Sequence, residues 1–432
     1  MRVMMVSGSR ARLPDPVYPL GAAIVATAAR RAGHEVSWFD ALRHEDPPAA
    51  LAAAVEAERP QAVLFSIRNI DNAAFPLVDR HFEEHASLVE ACRATTTAPV
   101  VLGGSGFSLM PEGFMGYLGA DHGVVGEGEE AIVDVLAALE AREDVPRLVL
   151  AGRVRPPFPL ADRDLFDADW YYAHGGVANL QSKRGCPLRC VYCTYPLLEG
   201  HSTRASEPGA VVDEMAALAA AGIGHVFFVD AVFNRPEEHA AMNCEEILRR
   251  ELTISFTGYF VPTGELPEFP SLLRRAGCSA VELGTDSLSD PQLEALAKGF
   301  TVDEALAFSA RLAAAGIKQC HNLIFGVPGE TRESMEASVA RMDAIDPTAV
   351  IATIGLRVYP GTGLLALAGG DEPGLDPVFF VEEGVAEDIV DVVRGYVETR
   401  RGWICPGLGE KMNPRYLARL RRRHKGPLWE LF

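Results

Sequence analysis

No apolar run in the 432-residue sequence approaches the roughly 18 residues a membrane span needs, and the opening MRVMMVSGS stops too soon for a signal-peptide core. No membrane partner is expected, and the cytoplasm is the expected location. Positive charge is scarce as well: 40 Lys and Arg against 59 Asp and Glu leave a formal charge of −19, which repels a phosphate backbone. Nucleic acid is therefore not an expected partner. The eight cysteines are too few and too unevenly spaced for a disulfide framework. Repeats at a fixed period of roughly 20 to 50 residues are missing too. What remains, 48% hydrophobic and 23% charged residues, is the composition of a folded chain of two or three domains.

Residues 1–143 alternate β-rich runs (2–7, 35–39, 62–67, 99–103 and 121–125) with segments of helical apolar spacing. That alternation predicts an α/β, doubly wound, Rossmann-like domain. Residues 144–177, with three prolines in PPFP and no sustained period, read as a linker. Six further strands, near 178–183, 225–230, 253–259, 279–284, 318–325 and 349–356, alternate with helices over 178–375. They predict a partial (β/α)6 barrel with its functional groups at the carboxyl ends of the strands. Residues 376–432 read as a short helical segment, with one helix near 384–400 and a basic end.

The most specific pattern is Cys186-x-x-x-Cys190-x-x-Cys193, in a loop straight after a strand. Thiolates suit iron–sulfur clusters, and three of them on a cube of four irons leave one iron open for a substrate or cofactor. A zinc site is the alternative, with His201 as the nearest fourth ligand. The scattered Cys92, Cys244, Cys278, Cys320 and Cys405 read as buried small apolar residues.

With Tyr192 just before its third cysteine, the triplet resembles the signature of the radical S-adenosylmethionine (radical SAM) superfamily. The resemblance implies a 4Fe–4S cluster on Cys186, Cys190 and Cys193, with S-adenosylmethionine on the open iron, split by one electron to a 5′-deoxyadenosyl radical. Later segments are similar to the family in the same order: HVFFVDAVFN with Asp230, a strand ending in Tyr259, VELGTDSLSD with Glu282 and Ser287, and NLIFGVPGET with Asn322, Gly326 and Val327. All of these, with Tyr192, are implied contacts of S-adenosylmethionine. Asp286 stands where the family usually has Gln. Read without the family, Asp230 and Glu282 are helix caps and Gly326 to Gly329 an ordinary turn.

In an open α/β sheet the ligand sits beyond the carboxyl ends of the strands. The loops there hold Ser7, Ser66, Arg68, Gly103, Gly104, Ser105, Gly126, Glu127 and Gly128, with Leu20 opening the first helix. Their order resembles the cobalamin-binding domain that precedes the barrel in one large class of radical SAM enzymes, and so implies that these residues contact cobalamin. The D-x-H-x-x-G motif, whose His ligates cobalt, is replaced by Ser7-Gly8-Ser9-Arg10-Ala11-Arg12. The resemblance then implies base-off cobalamin with Arg68 beneath the cobalt, since an arginine has no lone pair to donate. The alternative for Arg68 is a surface ion pair with Asp71.

The combined resemblance implies a methyltransferase acting on an unactivated carbon, or phosphorus, of a small molecule. One S-adenosylmethionine methylates reduced cobalamin, a second supplies the radical, and an external flavodoxin- or ferredoxin-type donor supplies electrons. The alternatives are a rearrangement, ring contraction or cyclisation without methyl transfer, and a non-enzymatic iron–sulfur or cobalamin-responsive regulator. The regulator would need a DNA-binding module, for which Arg415, Arg419, Arg421, Arg422, Arg423 and Lys425 are the only candidate; they read as a solvated helix face or a closing lid. Trp403, Pro406, Trp429 and Phe432 read as core packing.

Overall fold

The computed structural model describes residues 1–12, 14–409 and 419–431. Its first sheet consists of β1 (Arg2–Ser7), β2 (Glu35–Asp40), β3 (Ala62–Ser66), β4 (Val100–Gly103), β5 (His122–Val125) and β6 (Leu148–Leu150), in the order β2-β1-β3-β4-β5-β6 with every pair parallel. The run in β1 is continuously apolar because both faces are covered: Met4 and Val6 join one core, Val3 and Met5 the other. Strand order reverses at β1, which lies between β2 and β3, and Ser7, Ser66 and Gly103 come into register at the carboxyl edge. That is the position where such sheets hold ligands.

The stretch read as a linker is more structured than its prolines suggested. It supplies β6, too short at three residues to show a period, and a helix over Ala168–Gly175 capped by the Asp167 carboxylate. Tyr171 on that helix donates to Asp40 at the end of β2, 2.7 Å away, and so ties the segment to the first sheet.

Beyond it come β7 (Ala178–Leu180), an antiparallel hairpin of β8 (Lys183–Arg184) and β9 (Arg204–Ala205), then β10 (His225–Phe228), β11 (Ser255–Phe260), β12 (Ala280–Asp286), β13 (Lys318–Phe325) and β14 (Ala349–Ile354). A second hairpin, β15 (Leu356–Arg357) with β16 (Phe379–Phe380), precedes β17 (Trp403–Ile404). The second sheet is parallel, in the order β17-β14-β13-β12-β11-β10-β7, and its end strands are not paired. Six of its strands are those the alternation predicts. The seventh, β17, comes from the segment expected to be only helical, and its two residues carry no periodic signal.

Alternation within the strands sorts the barrel's two faces. Val281 and Leu283 are buried under the helices, whereas Glu282 between them turns inward. Helix starts follow the caps: Thr301 with Glu304 and Thr331 with Ser334 form capping boxes. The single helix expected near 384–400 is two, Glu383–Ala386 and Ile389–Glu398. Among the described residues no helix is long and apolar enough to cross a membrane.

Candidate active site between the two sheets

A cavity of about 710 Å³ opens where the carboxyl ends of the two sheets face each other. Ser7, Leu20, Ser66, Arg68, Gly103, Gly104, Ser105, Gly126, Glu127 and Gly128 all line it, so the loops singled out in the sequence converge on one space. Its inner part runs between the sheet (Met5, Leu64, Val101) and the helices over Leu20–Arg31 and Gly128–Ala141 (Ala22, Val25, Ile132). The barrel contributes the opposite wall, with Gln181, Thr194, Tyr195, Glu199 and Tyr259.

The residues fit a large ligand with an apolar part that enters between the sheet and the helices. At Gly104, where φ is +100°, a Cβ would lie 2.6 Å from the Ile67 carbonyl oxygen, so only glycine lets the loop turn beneath the cavity. At Gly21 a Cβ would meet no protein atom within 4 Å and would instead stand in the mouth. Arg68 forms no ion pair with any described residue; its Nε donates to Asn69 at 2.6 Å, and burial lowers its pKa. The ion pair with Asp71 is ruled out, because Asp71 accepts from Arg357 at 2.9 Å with both side chains buried.

Glu127 has a different task from the other loop residues. Its carboxylate accepts from Arg184 at 3.0 Å, from Arg204 at 3.0 and 2.5 Å, and from the Val154 amide at 3.0 Å, while Glu129 accepts from Arg184 at 2.5 Å. Burial opposes ionisation, but the Arg204 and Arg184 guanidiniums outweigh it and hold the Glu127 pKa below the ordinary range. The network clamps the first domain to the β8–β9 hairpin from which the cysteine loop springs. Arg184 Nε also reaches Gln181 at 3.0 Å, Gln181 donates to Glu199 at 2.9 Å, and Glu199 accepts the Gly185 amide at 3.0 Å. A continuous hydrogen-bonded chain thus connects the Gly126-Glu127-Gly128 loop to the residue before Cys186.

The cysteines sit in the short loop after β8, Cys186 buried and Cys190 and Cys193 half-buried, with no disulfide among them. His201, the nearest candidate for a fourth zinc ligand, is exposed. Burial pushes the Cys193 thiol up to about 12. A metal must therefore displace these protons to bind. Beside the loop Lys298 Nζ lies 2.6 Å from Asp286 and 3.3 Å from Tyr192, whose hydroxyl donates to Asp286. Desolvation disfavours the Lys298 charge, yet the Asp286 carboxylate holds its pKa above the ordinary value. Asp286 therefore anchors a buried Lys–Tyr pair.

The remaining barrel residues divide. Val327 packs with Val191, Tyr192 and Leu296, bringing the Gly-Val-Pro-Gly turn to the cysteine loop. The Gly326 and Val327 amides are already taken by Glu330. Tyr259 and Glu282 are register neighbours, and Asn322 donates weakly to the Leu283 carbonyl at 3.4 Å. Asp230 is fully buried and accepts from Ser182 N (2.7 Å), Ser182 Oγ (2.5 Å) and Lys183 N (3.1 Å), so it fixes the start of the cysteine loop. Ser287 points away, with its hydroxyl 3.3 Å from Ser338 on the helix over Arg332–Ile345. Gln181, Tyr195, Glu199 and Lys298 escaped the sequence reading because no spacing marks them.

Of the basic cluster, Arg419, Arg422, Arg423 and Lys425 are exposed, as a solvated face would be, whereas Arg421 is 3% exposed and pairs with Asp15; Arg415 and Phe432 lie outside the described residues.

The model of the B12 binding domain family matches residues 7–136, and that of the radical SAM superfamily matches residues 180–342. Among curated proteins the chain is similar to the tryptophan 2-C-methyltransferase of Streptomyces laurentii, 29% identical over 82% of this chain and 72% of that protein. It is also similar to the hopanoid C-3 methylase of Methylococcus capsulatus, 26% identical over 80% of this chain and 67% of that protein. Among solved structures, the radical S-adenosylmethionine methyltransferase TsrM of Kitasatospora setae, with cobalamin and a [4Fe-4S] cluster bound, superposes with a TM-score of 0.85 at 24% identity, covering 99% of this chain and 96% of that one. At that identity the likeness speaks for a shared fold.

Proposed function

We propose that this chain, which belongs to the cobalamin-dependent radical SAM enzymes, is a methyltransferase that moves the methyl group of S-adenosylmethionine to an unactivated carbon of a small molecule. The observation that carries the reading is the cavity between the two carboxyl edges, walled by the glycine loops of the first sheet on one side and on the other by Tyr259 and by Thr194, the residue after Cys193. When bound, the cluster supplies single electrons to S-adenosylmethionine and cobalamin supplies a methyl carrier. Cys186, Cys190 and Cys193 hold the cluster, and the clamp from Glu127 through Arg184 to Glu199 sets their loop against the first domain. Tyr192 and Val327 flank S-adenosylmethionine, with Tyr259, Glu282 and Asn322 facing it from the strands and Gly326 shaping the turn. Ser7, Leu20, Ser66, Gly103, Gly104, Ser105, Gly126 and Gly128 would cradle cobalamin, and Arg68, with no lone pair to donate, would hold it without supplying a ligand to its metal. Asp230 acts from behind by fixing the loop, and Ser287 is left a structural part. An external donor of flavodoxin or ferredoxin type delivers the electrons, and the cytoplasm keeps the three thiols reduced.

The test uses reconstituted protein, S-adenosylmethionine labelled in its methyl group, and tryptophan followed by other small aromatic molecules. Labelled product together with S-adenosylhomocysteine is expected. Product without S-adenosylhomocysteine would favour a rearrangement or cyclisation instead.

A further inference from the structure

The segment from 419 to 431 returns beneath the barrel and is fixed at several points. Arg421 donates to Asp15 at 2.7 Å, Lys425 to the Tyr172 and Ala173 carbonyls at 3.2 and 3.1 Å, and Lys318 to the Glu430 carbonyl at 2.7 Å. Trp429, 6% exposed, then packs against Ala280, Cys320 and Ala349 near the starts of β12, β13 and β14. This is the mouth opposite the cofactor cavity. From there its indole Nε1 reaches up to Glu282 Oε1 at 2.8 Å. Among the described residues nothing else donates to the Glu282 side chain and no cation pairs with it, although its register neighbour Tyr259 lines the cavity.

A half-buried carboxylate with no cation beside it is disfavoured as an anion. We propose that residues 426–431 plug the lower mouth of the barrel and that Trp429 is a positioning residue, its indole N–H fixing one oxygen of the Glu282 carboxylate and leaving the other for the cationic end of the methyl donor. The inference rests on the assignment of Glu282 to S-adenosylmethionine. Phenylalanine would keep most of the apolar packing but not the donor, and a buried indole N–H needs an acceptor such as Glu282. Burial pushes Glu282 up to about 7, and the Trp429 bond is what pulls the other way. The titratable neighbours of Glu282 on the adjacent strands are Tyr259 and Cys320. Burial raises Tyr259 on β11 and Cys320 on β13 well above their ordinary values, and lowers His225 on β10 to about 4. β14 offers Ala349 and Ile351; at the mouth burial raises the Glu430 pKa, and Lys318, 3.9 Å away, opposes that shift.

The experiment is equilibrium binding of S-adenosylmethionine to the cluster-reconstituted protein from mildly acidic to mildly alkaline pH. Trp429→Phe should bind about tenfold more weakly at neutral pH, the loss expected for one hydrogen bond to a charged group, and recover toward alkaline pH as Glu282 ionises. Trp429→Tyr, which packs alike but keeps a donor, should regain part of the affinity, whereas a packing defect would weaken both equally. Glu282→Gln should bind weakly at every pH. Wild-type affinity and pH profile in Trp429→Phe beside weak binding in Glu282→Gln overturns the positioning role alone. Wild-type binding in Glu282→Gln overturns the assignment of Glu282 itself.

Discussion

Replacing Glu127 by Ala removes the centre of the interdomain clamp. Arg184 and Glu127 side chains are each 6% exposed and Arg204 17%, so the loss strands guanidinium groups out of water. Breaking a buried pair by deleting one partner typically costs 3–5 kcal/mol. Arg184 keeps Glu129 and Arg204 is partly wet, which places the expected cost at the lower end, about 3 kcal/mol or roughly 150-fold in the equilibrium for opening. Glu127→Gln keeps acceptor and shape and should cost about 1.5 kcal/mol. Urea denaturation of the apo-protein, with limited proteolysis in 144–177, measures both. Adding Arg204→Ala to Glu127→Ala should cost less than the two single changes summed, by about 1 kcal/mol or more. Because the folded pKa of Glu127 is depressed, its contribution is present above the ordinary carboxylate range and fades as pH falls through the folded value. A Glu127→Ala protein that melts like wild type and resists proteolysis equally would refute the clamp, and would return Glu127 to the ligand.

Substituting Ala for Cys186, Cys190 or Cys193 singly should abolish iron retention and S-adenosylmethionine consumption, read by iron analysis and chromatography; retention of full iron by any one variant contradicts the ligand set. Arg68→His offers the cavity a nitrogen lone pair and should change the absorption spectrum of bound cobalamin; an unchanged spectrum would contradict the proposed place of Arg68 beside the cofactor's metal. Gly104→Ala forces a Cβ onto the Ile67 carbonyl at positive φ and should destabilise the protein by about 2 kcal/mol or more, measured by thermal melting. A neutral effect there would mean that the loop relaxes freely.

The order of strands, the loops at their carboxyl ends and the cysteine triplet were legible because each has a local signature, whether a period, a glycine turn or a fixed spacing. Direction and partnership were not. The strand-end position of Asp230 is visible in HVFFVDAVFN, but its turn back onto Ser182 depends on a loop 48 residues away. Glu127 meets Arg184 across 57 residues, Asp71 meets Arg357 across 286 and Trp429 meets Glu282 across 147, and no periodicity records such pairs. Short strands were lost for a related reason: β6 and β17 are recruited by edge pairing with a neighbour instead of by their own pattern.

The central claim is that one chain brings an iron–sulfur cluster and cobalamin to a shared cavity for methyl transfer. Anaerobic reconstitution followed by metal analysis and absorption spectroscopy addresses it most directly. The account predicts roughly four irons per chain with base-off cobalamin in the same preparation. Zinc held by four protein donors, or a protein that takes up the cluster and never cobalamin, would contradict it.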